Sequence, residues 1–381
     1  MSTVLTSAST LTILYAVSLR CTAYKMASYA GVSLNTMNKN PLPRQFCVLL
    51  DTNTWRSNLL LRTSIGSALL YTLNVSKGKL ALPEINEIEI FKHTQQAGED
   101  AKRKIDRYFR DIQSIMGERS AYTLPSADQI KNKIQARLDE LSDLVIRVPF
   151  TLSHAKSSLI RVNDEVPPSA TKKQQFKDCA IWESILDLLN EYDVHMVTND
   201  GDFFKSKGAS EIASILRDEI KHKEGKLELF RSLSQCLESL QEQRPEIDLA
   251  AVARMIVDDK FPDIEKSLAV NNLRPTIINT FEIKTFITEE HNRLAINYYI
   301  SIDAINTDIT PVNQYSPASG FIEGNCYFNT DTNLIEDNIQ ETIGAQWIDA
   351  NGEEKGTKGI WLRSAAGTKK SVPYAIRREL E

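Results

Sequence analysis

Short apolar runs alternate with helical periodicity along the first part of the chain. Phe46–Leu50 is a continuous apolar run, as expected for a strand that is buried on both faces of a parallel sheet. Leu59–Leu73 has helix-like apolar spacing, and the strongly periodic helix Phe176–Tyr192 precedes a second strand, Val194–Thr198. Strands that alternate with helices predict an α/β fold around a central parallel sheet.

Two further helical segments interrupt and extend this pattern. We interpret residues 94–148 as a helical insertion and residues 206–268 as a helical extension. In the insertion, Glu99–Gly117 reads as a helix with an apolar stripe and three arginines roughly opposite it. The stripe is Ile105, Phe109, Ile112 and Met116, and the arginines are Arg103, Arg107 and Arg110. Ser126 with Gln129 resembles a capping box that opens the next helix.

The pattern changes again near residue 269. Apolar residues then occupy every second position at Leu294, Ile296, Tyr298, Ile300 and Ile302. This period of two is typical of a strand with one buried face. The sequence therefore predicts three parts: a poorly structured extension over residues 1–42, an α/β domain over 43–268, and a mainly β domain over 269–381.

Composition and charge change this picture little. A net charge of −5, with 42% hydrophobic and 25% charged residues, is typical of a soluble globular protein. This charge is not that of a dedicated nucleic-acid binder, although an acidic site would itself lower the total. The five cysteines form no Cys-x-x-Cys pair, and the histidines lack zinc-ligand spacing, which favours free thiols in a reducing cytoplasm.

The N-terminal apolar stretch Leu11–Leu19 is far too short to span a membrane, and no basic residue precedes it. We expect a cytoplasmic protein with no membrane partner. A signal peptide is the alternative interpretation of this stretch, and the cysteine usage argues against it.

Acidic residues stand at the places where a metal site would need them. Asp51 ends the first strand, and Asp200 and Asp202 follow the second, with Gly201 between them. Carboxylates at the carboxyl ends of central strands point into the crevice where open α/β sheets bind ligands. Clustered acids raise one another's pKa and are tolerated when divalent cations neutralise them, so the pattern predicts Mg²⁺ or Mn²⁺.

Each acid also has a purely structural interpretation. Asp51 is a good helix N-cap, and Asp178 and the pair Glu87 and Glu89 suit the acidic start of a helix. The two glutamates lie two positions apart and cannot share a helix face, so at most one reaches a site directly. The spacing of Asp200 and Asp202 does not match an EF-hand calcium loop. The combination of acids favours the metal site.

These motifs together resemble the PIN-domain nucleases. The resemblance rests on strand-Asp-Thr-Asn at Asp51, on a Glu six residues after Pro83, on Phe-x-Asp-x-x-Ile-Trp at Phe176, and on Thr-x-Asp-x-Asp-Phe at Thr198. It covers roughly residues 43–205 and is most similar to bacterial PIN proteins with a long helical insertion. It implies a three-layer sandwich around a central parallel sheet, with the helical insertion and a mainly β C-terminal module added.

The resemblance also assigns roles to residues. The metal-binding and catalytic acids would be Asp51, Glu89, Asp178 and Asp200, with Asp202 as an additional metal ligand and Asn53 and Thr198 orienting the acids. The implied chemistry is hydrolysis of a phosphodiester by a metal-activated water, which leaves a 5′-phosphate. No Ser or His nucleophile is required.

We expect the substrate to be RNA, with DNA as the less favoured alternative. The basic candidates for its phosphates are Arg103, Arg107, Arg110, Lys172 and Lys173, and Tyr108 is a candidate to stack on a base. A solvated helix face with internal ion pairs explains the arginines equally well. Analogy with free-standing nucleases suggests a toxin or antiviral defence role.

Two alternative functions remain open from the sequence. The first is a catalytically degenerate PIN scaffold that binds RNA or protein, and the second is a DNA-directed nuclease. A homo-oligomer contact or a regulatory partner is the role we expect for the C-terminal β domain.

Overall fold

The computed structural model describes residues 44–117, 122–170, 175–206, 209–241, 246–307, 318–348 and 353–362. They all belong to one compact unit, Arg44–Glu381. The extension predicted over residues 1–42 lies outside this described part. Among the described helices, none has the length and apolar character needed to cross a membrane.

A parallel sheet of five strands forms the centre of the first half. Its strands are β1 (Phe46–Leu50), β2 (Lys79–Pro83), β3 (Val145–Val148), β4 (Asp193–Val197) and β5 (Leu227–Phe230). Their order is β3-β2-β1-β4-β5, and every pair is parallel. The apolar run of β1 is fully buried from Cys47 to Leu50 because this central strand is covered on both faces.

Helices cover both faces of this sheet. They are α1 (Thr52–Ser57), α2 (Ser64–Ser76), α3 (Glu84–Met116), α4 (Ala127–Glu140), α5 (Leu152–Asn163), α6 (Phe176–Leu188), α7 (Ser214–Ile220) and α8 (Leu233–Leu240). Leu69 and Leu73 of α2 pack in the core on one face, whereas Trp182 and Ile185 of α6 pack in the core on the other. The predicted three-layer α/β sandwich is therefore confirmed.

The predicted helical segments differ from the structure in two places. Residues 145–148 of the insertion form β3, an edge strand of the sheet, and residues 227–230 of the extension form β5 at the opposite edge. The helix predicted around Glu87 and Glu89 and the helix predicted over Glu99–Gly117 are one continuous helix of 33 residues, Glu84–Met116. The capping box at Ser126 is confirmed, since its side chain and that of Gln129 exchange hydrogen bonds with the backbone.

The apolar stripe predicted on the insertion helix is largely exposed. Ile105, Ile112 and Met116 keep half or more of their surface in solvent, because α3 extends beyond the sheet at this end. Phe109, the fourth residue of the stripe, packs against Tyr122, and the centroids of the two rings lie 3.9 Å apart.

A left-handed turn separates α1 from α2, where the sequence predicts helix from Leu59 onward. The φ angles of Leu59, Leu60 and Leu61 are 47°, 57° and 60°. This left-handed conformation is unfavourable for L-amino acids. Arg137 of α4 stabilises it here, because it donates to the carbonyl oxygens of Leu60 and Leu61, each at 3.1 Å. The helix therefore begins only at Ser64, where the Thr63 hydroxyl accepts from the amide of Gly66.

An antiparallel sheet and one helix form the second half. The helix is α9 (Leu249–Ala269), and the strands are β6 (Leu273–Ile287), β7 (Arg293–Asn306), β8 (Ala318–Asn329), β9 (Leu334–Ile348) and β10 (Glu354–Leu362). The strands follow the order β10-β9-β8-β7-β6. The alternating residues predicted in β7 are all buried against α9, which confirms a mainly β module.

The second sheet is not isolated from the first. Phe286 and Ala295 join the hydrophobic core that α2 forms on the parallel sheet. Gln241, which follows α8, exchanges hydrogen bonds with the backbone of Ile287 at 2.9 and 3.2 Å. The two sheets thus share part of one core.

The described cysteines are Cys47, Cys179, Cys236 and Cys326, and each is a buried free thiol. Burial raises the pKa of the Cys179 thiol to about 11, so this thiol stays protonated at neutral pH. Cys21 lies outside the described residues.

Candidate functional site

Two acids meet at the carboxyl edge of the parallel sheet because they follow neighbouring strands. Asp51 comes directly after β1, and Asp200 comes three residues after the end of β4. The backbone amide of Asp51 donates to the carbonyl oxygen of Val197 at 3.0 Å, which fixes the two strand ends side by side. The two acids therefore share the crevice that parallel sheets offer to ligands.

Asp51 is held in place by two hydrogen bonds. Its Oδ1 accepts from the backbone amide of Thr54 at 2.6 Å, so it is the N-cap of α1. Its Oδ2 accepts from the Thr198 hydroxyl at 2.9 Å. Asp51 is therefore a helix cap, as the structural alternative predicts, and its role as a site acid stays a prediction.

Glu89 reaches the same crevice from α3, whereas Glu87 does not. The Thr52 hydroxyl lies 2.9 Å from Glu89 Oε2, and Lys177 forms an ion pair with Oε1. Glu87 instead pairs with Arg147 of β3 at 3.2 Å. The difference follows from helical geometry, since residues two positions apart point to different sides.

The loop after β4 positions Asp200 through its own backbone. The amide of Asp200 donates to the Thr198 hydroxyl oxygen at 3.0 Å, and Asp200 Oδ1 accepts from the amide of Asp202 at 3.0 Å. Asp200 Oδ2 accepts from the side chain of Gln175 at 3.1 Å. Thr198, which is fully buried, therefore links Asp51 and Asp200 through one hydroxyl group.

Asp178 lies in the first turn of α6, and its pKa is sensitive to the other acids nearby. Burial, the largest cause, and nearby negative charge together raise the pKa of this carboxyl from 3.8 to about 7. The charges are the carboxylates of Asp200, Glu89, Asp202 and Asp51, in order of decreasing effect. The other four acids predicted from the sequence therefore all lie close enough to Asp178 to raise its pKa.

A pocket of about 570 Å³ opens over these side chains. Asp51, Glu89, Asp178 and Asp200 line it, and so does Asn53, which is exposed and has no hydrogen bond to the acids in the described contacts. The pocket lies on the carboxyl side of β1 and β4, as expected for the binding crevice of an open α/β sheet.

Four neighbours of the acids were missed in the sequence. They are Thr52, Asn86, Gln175 and Lys177. Asn86 is fully buried and donates to the carbonyl oxygen of Leu50 at 2.7 Å, which holds the start of α3 against the end of β1. Its spacing of three from Glu89 was the available signal, since such residues share a helix face.

The comparisons with known proteins agree with this geometry. A family model described as a PIN domain matches residues 48–203, which include all five acids. Residues 48–203 are a PIN domain. PIN domains are usually nucleases, so the match indicates a nuclease-type, hydrolytic function. No curated protein and no solved structure matched the chain.

The acids of this PIN domain fit a hard divalent cation by their chemistry. PIN nucleases typically use divalent metals, and carboxylate oxygens are the preferred ligands of Mg²⁺ and Mn²⁺. Within the described ranges, however, no three His, Cys, Asp or Glu side chains are arranged to hold a metal ion together. The oxygens instead bind protein partners such as Lys177, Gln175 and Thr198.

The arginines predicted to bind substrate do not line the acid pocket. Arg103 and Arg110 pair with Asp100 and Asp106 on the same helix, as the structural alternative anticipated. Arg107 lies over the ring of Tyr108, at 5.0 Å from its centroid. At 1.5 Å per residue, Arg103 stands roughly 21 Å along α3 from Glu89. Lys172 and Lys173 lie outside the described residues.

Proposed function

We propose that the PIN domain is a metal-dependent ribonuclease that hydrolyses RNA phosphodiester bonds at the acid cluster. The observation that carries this proposal is that Asp51, Glu89, Asp178 and Asp200 converge on one pocket at the carboxyl edge of the parallel sheet. Such a concentration of negative charge is costly unless a cation shares it. Asp51, Glu89, Asp178 and Asp200 would hold Mg²⁺ or Mn²⁺, with Asp202 as an additional ligand.

The residues of the chain would prepare the site in two ways. Asp51 and Asp200 are fixed by their hydrogen bonds to Thr198, so their positions cost little reorganisation. Glu89 would hold the cation in place of its ion pair with Lys177, and the Lys177 ammonium group would then be free to face a phosphate. When bound, the metal supplies an activated water and charge stabilisation at the scissile phosphate.

The choice of RNA rests on the resemblance to PIN ribonucleases, and DNA remains the alternative substrate. A toxin-like or antiviral role also stays a prediction, which rests on analogy. Growth arrest on induced expression, relieved by Asp51→Asn, would support such a role.

Cleavage of labelled single-stranded RNA in the presence of Mn²⁺ tests the proposal. Glu89→Gln and the double variant Asp51→Asn with Asp178→Asn should each lower the rate about 100-fold or more, because they remove metal ligands. Glu87→Gln is the matched control, since Glu87 lies two residues away on the same helix and pairs outside the pocket with Arg147. Chelation with EDTA should stop cleavage by the wild type.

Cleavage that survives EDTA or the double substitution would refute the metal mechanism. If wild type and double variant bind RNA equally and neither cleaves RNA or DNA, the domain is a degenerate binding scaffold. Faster cleavage of single-stranded or branched DNA than of RNA would replace the proposed substrate while keeping the site.

A further inference from the structure

A second pocket, of about 780 Å³, lies directly beside the acid pocket. The segment 198–204 separates the two pockets. Thr198, Asp200 and Phe203 line the acid pocket. Asn199, Gly201, Asp202 and Phe204 line the second one. A ligand that is bound at the acids and extends over this segment would therefore reach the second pocket.

Two cations, Arg231 and Lys205, line the second pocket together with the carboxylate of Asp202. Arg231 directly follows β5, and the amide of Thr198 donates to the carbonyl oxygen of Phe230 at 2.9 Å. The arginine is therefore tied to the strand pair that also presents Asp200. Lys205, the second cation, follows the acid loop and pairs with Glu211 at 3.1 Å.

Arg231 is held rigidly in this position. Its Nε and Nη2 donate to the carbonyl oxygen of Ala209 at 3.1 and 2.7 Å. Its guanidinium carbon lies 3.8 Å from the centroid of the Phe204 ring, which is buried beneath it. A guanidinium plane fixed in this way is a surface on which bases stack and phosphates bind, at little cost in side-chain entropy.

The rest of the lining suits a nucleoside. Ser206 and Ser214 supply hydroxyl groups, and Ala213 and Ile215 supply apolar surface. The volume falls within the range of pockets that bind small organic molecules. The cations would bind a phosphate, the hydroxyls a sugar, and the apolar wall a base. This lining therefore suits a strand of nucleic acid that continues from the acidic pocket past the scissile phosphate.

We propose that this second pocket binds the nucleotide of single-stranded RNA adjacent to the scissile phosphate, with its phosphate at Arg231 and Lys205. The inference rests on the proposed ribonuclease function and adds a substrate-binding site that the acids alone do not provide. Because the acid cluster repels phosphate, a cationic subsite beside it would supply the affinity that the cluster lacks.

The first test compares two substitutions that remove the same hydroxyl group and differ in the charge that they place in the pocket. Ser214 is exposed at the pocket wall, so Ser214→Glu and Ser214→Gln differ in charge and hardly in size. Binding of a short fluorescein-labelled single-stranded RNA is measured by anisotropy at low salt, with EDTA present. Ser214→Glu should bind about fivefold more weakly than Ser214→Gln, and the difference should shrink as salt is added.

The second test removes a cation and uses a matched control. Lys205 and Arg217 both pair with Glu211, at 3.1 and 3.5 Å, but only Lys205 lines the pocket. Lys205→Gln should weaken RNA binding severalfold and reduce its salt dependence, whereas Arg217→Gln should bind as the wild type does. Thermal unfolding of each variant confirms that the fold is intact.

The outcomes separate this inference from the proposed function. Cleavage that depends on Asp178, together with equal RNA binding by Ser214→Glu and Ser214→Gln and by Lys205→Gln and Arg217→Gln, would overturn the pocket and leave the nuclease standing. Weaker binding by Ser214→Glu and Lys205→Gln in a protein that cleaves no nucleic acid would support the pocket and refute the nuclease.

Discussion

At the scale of single residues, Asp178 has the most strongly perturbed carboxyl in the acid cluster. Its pKa of about 7 means that the folded protein, without metal, holds a proton there which the unfolded chain releases near pH 4. A raised carboxyl pKa stabilises the fold below the unfolded value. That stability is lost as the pH rises through the folded value.

Metal-free protein should therefore become less stable between pH 5 and pH 8, in part because of Asp178. We expect Asp178→Asn to reduce this loss by on the order of 2 kcal/mol, since the amide carries no charge at either pH. Urea unfolding in EDTA at both pH values measures the effect, with Glu87→Gln as the control carboxylate. An equal pH dependence in wild type and Asp178→Asn would contradict the raised pKa.

The sequence predicted the acids and their partner Thr198, but not the partners Gln175 and Lys177. Asp51 and Asp200 could be placed because the carboxyl ends of neighbouring parallel strands must meet at one edge. Gln175 and Lys177 could not, because their contacts with Asp200 and Glu89 depend on how α6 packs against the loop after β4 and against α3. Such contacts between distant segments leave no periodic signal in one sequence.

At the scale of secondary-structure elements, the strands β3 and β5 show where pattern analysis fails. Each has four residues and lies at an edge of the parallel sheet. Runs this short carry too few positions to distinguish a strand from part of a helix, and both follow long helical patterns. The buried central strands β1 and β4 were predicted because their apolar runs stand between clear turn signals.

The turn between α1 and α2 gives a prediction at this scale. A Cβ at Gly66 would stand 2.6 Å from the Cα of Leu61, and backbone cannot move aside as a side chain can. Gly66→Ala should therefore destabilise the protein by about 1–3 kcal/mol, although alanine favours helix elsewhere.

Gly98→Ala is the matched control, because a Cβ there would meet only the Ile130 side chain, at 3.1 Å. It lies inside α3, where alanine gains about 1 kcal/mol over glycine in helix propensity. Urea unfolding should show that the two substitutions change the free energy of unfolding in opposite directions or by clearly unequal amounts. Equal shifts would show that the left-handed turn does not constrain α2.

At the scale of the whole molecule, the two sheets share a core, which the sequence did not reveal. Periodicity distinguished the α/β pattern from the alternating β pattern, although the helix Leu249–Ala269, which lies before the predicted boundary, packs on the antiparallel sheet. It could not show that Phe286 of β6 packs into the core of the PIN domain, because both patterns bury apolar residues. The shared core predicts that the two parts unfold together.

Two phenylalanines of β6 test this coupling. Phe286 is 1% exposed, whereas Phe281 is 41% exposed on the same strand. Phe286→Ala should cost about 3–5 kcal/mol, since it leaves a cavity in the shared core, and Phe281→Ala should cost far less. Because Phe286 touches the core around α2, its loss should lower a single thermal transition that includes the parallel sheet. Two separate transitions, with only the later part of the chain destabilised, would show instead that the PIN domain folds independently of the antiparallel sheet.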